Sequence, residues 1–502
     1  MIVPISQVKN LILPFLLFSL LQTNADLYAQ FVFQHQTDYG FHVLPDMLQL
    51  KARADDGYHY LNELIIFPSQ EGMEYSSHSP TGVRENYLRR RADSTVMNNL
   101  HGYQYRDMWE FPDSTWLFAG AMYPFSAFQS SANPLPLLEW HNLGTFNPIP
   151  FQERFYNSGQ NQRMDSFYGL YPHPDAWFYT LGKVRSQQPS FSDGGVFYSV
   201  MDSMGNVLST RVHTYGTNHR LEEVAPLPNG GAVFGSNLSP NLSSSSVYIL
   251  VVDSVGAKKW SVEMPNQEIT ALAAAPNGDI YFGLSGFPSQ IGCFDANGTL
   301  KWAQIVGGSN VGYFKDITIT SDGGVVVATS LQSSSLLVPC MMKFDSTGAL
   351  LWSHTYPAGL PPNNGNWFNR TGSQVAETST GDLYLASELS YQDFFGSIYW
   401  ASGVLKTNRF GASCASFPVS IPSNSINLQI VVPQDTSFVD TVFQTTSFFP
   451  SASTWFPPFN PTLVCSATLC PSSVTVNFVA DTVCVGDTVV ATAAGPNIDP
   501  AS

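Results

Sequence analysis

Between about residue 44 and residue 418 the chain repeats a two-hairpin unit seven times, and no other feature constrains the fold as much. The first hairpin of the unit is an apolar run, a tight polar turn, a second apolar run and a small residue. It reads APLPNGGAVFG around Asn229, AAAPNGDIYFG around Asn277, TITSDGGVVVA around Asp322 and AETSTGDLYLA around Thr380. The second hairpin is an apolar strand, Asp-x-x-Gly, then a strand that often carries Trp. It reads VVDSVGAKKW from Val251, CFDANGTLKW from Cys293 and KFDSTGALLW from Lys343. A sheet of four such strands has apolar faces that only a neighbouring copy can cover. Copies in series therefore stack around an axis. The expected fold class is all-β, a seven-bladed β-propeller of four-stranded blades.

The first turn of each unit falls at Asp55, Asp113, Asp175, Asn229, Asn277, Asp322 and Thr380. Asn-Gly and Asp-Gly there read as two-residue hairpin turns, in which both residues tolerate positive φ. Units one to three depart from the pattern, with Asp55-Asp56-Gly57, Pro112-Asp113-Ser114 and Pro174-Asp175-Ala176, yet each sits between apolar strands. The second turns are Asp202/Gly205, Asp253/Gly256, Asp295/Gly298, Asp345/Gly348 and Asn408/Gly411, with weaker versions at Ser79/Gly82 and His141/Gly144. A polar first position and a Gly at the fourth suit a type I turn closed by a left-handed glycine. Small residues end the second strands (Ala119, Gly235, Gly283, Ala328, Ala386), as crowding between blades requires. Trp260, Trp302 and Trp352 are expected to pack between neighbouring blades. Two segments are able to supply the last strand of the ring: FVFQHQT, residues 31–37, or SCASFPV, residues 413–419. Either removes an edge that would otherwise invite aggregation.

Charge limits the partners. The 22 Lys and Arg face 38 Asp and Glu, for a formal net charge of −16. Nucleic acid and anionic membrane surfaces need clustered cations, and the one dense cluster, Arg89-Arg90-Arg91, reads as a solvated strand end. At the N-terminus, Lys9 precedes the apolar run of residues 11–21 and a small-residue exit. Residues 1–29 thus read as a secretory signal peptide cut after Ala29, or after Ala25, and no other run is apolar and long enough to span a membrane. The expected locale is extracellular, at the cell surface. Four of the six cysteines, Cys414, Cys465, Cys470 and Cys484, lie in the last ninety residues, where an exported chain keeps disulfides. They allow three connectivities; Cys414–Cys465 and Cys470–Cys484 are the expected pairs. Cys293 and Cys340, on equivalent strands of neighbouring units, read as buried core residues.

Beyond the ring (residues 31–418), residues 419–470 form a Ser/Thr/Pro-rich segment, read as a disulfide-bounded β linker. From residue 471 the alternation SSVTVNFVADTVCVGDTVV resembles the opening of an immunoglobulin-like or PKD-like module, of which residues 471–502 are an incomplete start. The Phe-Asp-x-x-Gly-x-x-x-Trp repeat resembles those of pyrroloquinoline-quinone propellers. The quinoprotein likeness stops there, since no vicinal Cys-Cys occurs. The whole layout resembles large surface proteins exported by type IX secretion systems. That resemblance implies export, surface display and adhesion, and it covers fold more than chemistry. It also draws attention to Asp-Ser/Thr positions at Asp93, Asp113, Asp202, Asp253, Asp345, Asp440, Asp481 and Asp487, which resemble bacterial O-glycosylation acceptors; Asp-Ser is equally ordinary turn chemistry. Asn-x-Ser/Thr sequons stand at Asn237, Asn241, Asn297 and Asn369.

Catalytic and metal motifs are not found: no His-Glu-x-x-His, Cys-x-x-Cys or Gly-x-Ser-x-Gly, and no phosphate-binding loop or EF-hand series. No cofactor is expected. One ring of positions stands out. Six residues before each first turn are Gln49, Asp107, Gly169, Glu223, Ala271, Asp316 and Gln374. Equivalent positions lie at one height, so Gln49, Asp107, Glu223, Asp316 and Gln374 are expected at the channel mouth. There they would hold a cation, hydrogen-bond a sugar, or satisfy local backbone donors. Three functions remain: a binding or adhesion propeller for glycan or surface protein, a carbohydrate-active or lactonase-like enzyme using those carboxylates, and a passive spacer for adhesive modules.

Overall fold

The computed structural model describes residues 30–40, 43–66, 70–91, 101–111, 115–124, 135–142, 152–158, 162–186, 194–215, 219–241, 244–286, 288–308, 310–333, 336–357, 366–392, 398–413, 416–433, 436–440, 443–448, 462–469, 477–478 and 491–492. The leader, Cys414, Cys470, Cys484 and nearly all of residues 471–502 lie outside these residues, as do the expected disulfides.

Seven antiparallel sheets follow one another along the chain. Blades one to six each take four consecutive strands, within residues 43–91, 101–158, 162–214, 219–265, 268–306 and 316–355. Blade seven takes Asn366–Glu377, Leu383–Gln392 and Ile398–Thr407, and its fourth strand is Gln30–Gly40 from the far end of the chain. Phe33 stands opposite Lys406 and Thr37 opposite Ser402. Of the two segments able to close the ring, the N-terminal one does so. The innermost strands pack in sequence, and Asn366–Glu377 packs against Val43–Ala52. The ring is a seven-bladed β-propeller.

Blades bury both faces, so their central strands read as unbroken apolar runs. Val325, Val326, Val327 and Ala328 of blade six are all fully buried. Between blades five and six, Ile291, Cys293, Phe314, Val325, Cys340 and Phe344 share one apolar cluster. Cys293 and Cys340 are free thiols there, and burial pushes both up to about 12, as befits inert core residues. The small residues that end second strands are required by sheet crowding: a Cβ on Gly235 would stand 2.7 Å from Ile269 of the next blade.

First and second turns share one geometry. In the first turn of blade four, Leu227 N–H donates to Gly231 O and Gly230 N–H donates to Leu227 O; in its second turn Asp253 and Ala257, then Gly256 and Asp253, repeat the pattern. Gly230 has φ of 81° and Gly256 of 73°, while Asn229 has no positive φ. This corrects the two-residue reading of the Asn-Gly turns. They are three-residue loops, a type I turn followed by one left-handed residue. In the second turns the Asp carboxylate accepts two further backbone bonds, as where Val255 and Ala257 N–H donate to Asp253 Oδ1 at 3.0 and 2.7 Å.

The segment after the ring belts it. Phe417–Pro418 pairs with the outermost strand of blade six, and Ser423–Ser425 with that of blade five. Val431 exchanges both backbone bonds with Glu263 of blade four, at 2.8 Å each. Thr436–Asp440 continues on blade three, Phe443–Phe448 on blade two, and Thr462–Leu469 on the strand that closes blade seven. All these pairings are antiparallel, and the chain runs back around the ring from blade six to blade two and then to blade seven. Gln30 ends opposite Leu469. Ile421 is buried, and Val419, Leu428 and Ile430 pack on the inter-blade clusters. The described part of residues 419–470 is therefore integral to the propeller rim.

Candidate functional site

Each innermost strand carries a bulge at the same height. The register shifts between Met47 and Gln49, Tyr105 and Asp107, Phe167 and Gly169, Leu221 and Glu223, Ile269 and Ala271, and Gly372 and Gln374. In blade six, Asp316 pairs with Ala328 while Lys315 N–H donates to Ala328 O at 2.8 Å. Two residues thus face one on the neighbouring strand, and a bulge of this kind re-aims side chains.

The result is an axial cavity of about 1010 Å³ lined by residues of all seven innermost strands. Four of the five expected residues line it: Gln49, Glu223, Asp316 and Gln374. The residues just before the expected positions line it too: Arg106, Tyr168, Glu222, Thr270, Lys315 and Ser373. An alternating reading assigns consecutive residues to opposite faces, which hides this second ring.

Asp107 does not line the cavity, contrary to expectation. It is fully buried and ties three blades together. Lys51 Nζ of blade one donates to its Oδ1 at 2.6 Å, its own neighbour Met108 N–H donates at 2.8 Å, and Leu170 N–H of blade three donates to its Oδ2 at 2.8 Å. Asp316 makes the same inter-blade link while still reaching the cavity: Ile317 N–H and Val375 N–H of blade seven each donate at 2.8 Å. Burial outweighs these bonds and pushes the Asp316 carboxyl up to about 6.

Glu223 differs. Its carboxyl has no hydrogen-bond or ion-pair partner among the described residues, although part of its surface reaches the cavity. Enclosure by the channel wall raises it well above the usual carboxylate range. Asp316 and Glu222 push the same way, and Arg106 and Lys315 oppose them. Glu222 accepts from Arg220 Nε at 2.7 Å and from Asn237 Nδ2 at 3.1 Å. Asn237 also accepts from Ile269 N–H of blade five at 2.8 Å, so the amide of that sequon is already occupied by two blades. The Arg106 guanidinium lies 5.0 Å over the Tyr168 ring, and its buried Nε has no partner.

Among the described residues no three His, Cys, Asp or Glu stand together as a metal-binding set, and no helix is long and apolar enough to cross a membrane. The cavity offers hydrogen-bonding amides, hydroxyls, carboxyls and cations.

No family model matches the chain, and no curated protein is similar to it. Solved structures align over much of its length at low similarity. Polysaccharide lyase Uly1 is 9% identical over 75% of this chain and 100% of that one, with a TM-score of 0.44. Drosophila Plexin A in complex with Semaphorin 1b is 8% identical over 74% and 87%, with a TM-score of 0.36. The aldose sugar dehydrogenase of Streptomyces coelicolor, bound to PQQ, is 9% identical over 61% and 98%, with a TM-score of 0.31. Enzymes stand among these structures, so the likeness assigns no activity.

Proposed function

We propose that this chain is an exported, surface-displayed binding propeller whose axial cavity takes a hydroxyl-rich ligand, a free glycan or a glycosylated surface protein, without turning it over. The observation that carries the reading is the double ring of polar side chains at the bulge height, with amide, hydroxyl and carboxyl groups converging from different blades. Sugars are recognised by such groups. The apparent signal peptide, the late cysteines and the surface-protein layout support export through a type IX route and an immunoglobulin-like continuation. The test is a glycan array probed with the purified protein, followed by calorimetry on the hits. Binding that weakens when Gln49 and Gln374 are replaced by Ala would support the reading; absence of any glycan binding would sink it.

A second reading, an extracellular carbohydrate-active enzyme, is favoured by one observation: Glu223 and Asp316 line the same cavity with carboxyls raised by burial, a condition suited to general acid chemistry. Turnover of any polysaccharide that disappears in Glu223→Gln with binding intact would favour it over the first.

A further inference from the structure

Most charged groups of the cavity are already occupied. Lys51 is held by Asp107, Arg220 by Glu222, and Asp316 by two backbone donors. Glu268 accepts from Ser285 Oγ at 3.5 Å, and Glu388 is engaged elsewhere. Three groups are left over, from blades two, four and six. Among the described residues the Arg106 guanidinium lies over the Tyr168 ring, and its buried Nε has no hydrogen-bond partner. The Lys315 ammonium and the Glu223 carboxyl have no partner among the described residues. Both cations act electrostatically on Glu223. Two cations with no ion-pair partner among the described residues, on one polar cavity, mark a place for an anion.

We propose that the space bounded by Arg106, Glu223 and Lys315 is a subsite for an anionic sugar residue, one that carries a carboxylate or a sulfate. This rests on the reading of the cavity as a glycan site and adds the ligand's charge. Arg106, 5.0 Å over the Tyr168 ring, presents the donor fork that matches a planar or tetrahedral anion. Lys315 supplies a point charge from the opposite wall. Glu223, from blade four, adds a carboxyl that burial raises well above its usual range. Gln49, Gln374, Thr270 and Ser373 are left for the hydroxyls of the sugar ring. An inorganic anion would satisfy the cations but leave those groups unused.

The test is calorimetry on the purified protein with four probes: a hexuronate oligosaccharide, a sulfated oligosaccharide, a neutral oligosaccharide of equal length, and inorganic sulfate. We expect at least one anionic oligosaccharide to bind about tenfold or more tightly than the neutral one, since charge-assisted bonds carry the difference. Arg106→Gln and Lys315→Gln should each abolish that preference, and Arg106→Lys and Lys315→Arg should keep part of it. Lys259→Gln, exposed at the start of the outermost strand of blade four, should change nothing, and denaturation midpoints verify that each variant folds. Equal binding of neutral and anionic sugars would overturn the anionic subsite and leave the glycan reading standing. Failure of every oligosaccharide would overturn both. Inorganic sulfate binding as tightly as the sulfated sugar would overturn the sugar in this proposal.

Discussion

At the scale of single residues, Glu223 is the most informative side chain. It faces Arg106 from blade two, Tyr171 from blade three, Glu222 on its own strand, and Lys315 and Asp316 from blade six. Its folded pKa is raised, chiefly by burial, so its ionisation opposes folding. That cost is absent below the unfolded carboxylate range near pH ~4 and develops as pH rises through the folded value. Glu223→Gln should therefore match the wild type in thermal stability at about pH 4 and exceed it at pH 8; a variant less stable than wild type at both would contradict the assignment. Gly298 tests a different contact. It has φ of 85°, and a Cβ there would stand 2.8 Å from the Trp260 ring of the preceding blade, whose Nε1 donates to Ala296 O at 2.9 Å. Gly298→Ala combines backbone strain with that collision and should cost at least about 1 kcal/mol in urea denaturation. The Trp-over-turn contact was legible in the sequence because three units repeat it. The vacancy around Glu223 was not, because a sequence does not say which carboxylates find partners.

At the scale of the element, two devices recur. The second turns depend on an Asp that accepts backbone bonds; Thr299 and Asn297 N–H donate to Asp295 Oδ1 and hold that carboxyl below its usual range, the Thr299 bond being the larger cause. Asp295→Ala should cost about 1 kcal/mol at neutral pH. A depressed pKa makes that contribution full above the unfolded value and lost as pH falls through the folded one. The variant and wild type should thus converge as pH falls below the ordinary carboxylate range and through the lowered folded value, which equilibrium denaturation at several pH values measures. The bulges are the other device. The expected positions, found by counting back from the turns, fall at the bulges, and four of the five line the cavity. The fifth, Asp107, accepts bonds from three elements, and removing it leaves Lys51 only the Met108 carbonyl and strands two backbone donors near the axis. Asp107→Ala should destabilise the ring by about 2 kcal/mol or more, the cost of breaking a largely buried ionic network, and do so without a ligand present. Loss of ligand binding at unchanged stability would place Asp107 in the site after all.

At the scale of the molecule, the belt and the closing strand act together. Gln30–Gly40 is hydrogen-bonded on one side to Ile398–Thr407 and on the other to Thr462–Leu469, so the ring is closed by a strand held on both edges. The outer strands that the belt covers would otherwise present open edges to other chains. Deleting residues 417–469 should leave the blades intact and expose those edges. Hydrogen exchange should then rise first in Gln30–Gly40 and in the outermost strands of blades two, three, five and six, and the protein should aggregate on mild heating. Unchanged protection in Gln30–Gly40 would show that the belt contributes nothing to closure.

The repeat by itself determined the class of fold, the number of blades and the height of the inner ring, because strand alternation and turn chemistry are local and recur in every unit. The tertiary structure decided what pairs across long stretches of chain. Which terminus closes the ring, where a weakly patterned Ser/Thr-rich segment lies, and which of several like-charged side chains is buried against partners all depend on atoms brought together from blades far apart in sequence. Edge pairing uses the backbone, which every residue possesses, so residues 419–470, which lack the repeat signature, did not announce which blades they belt.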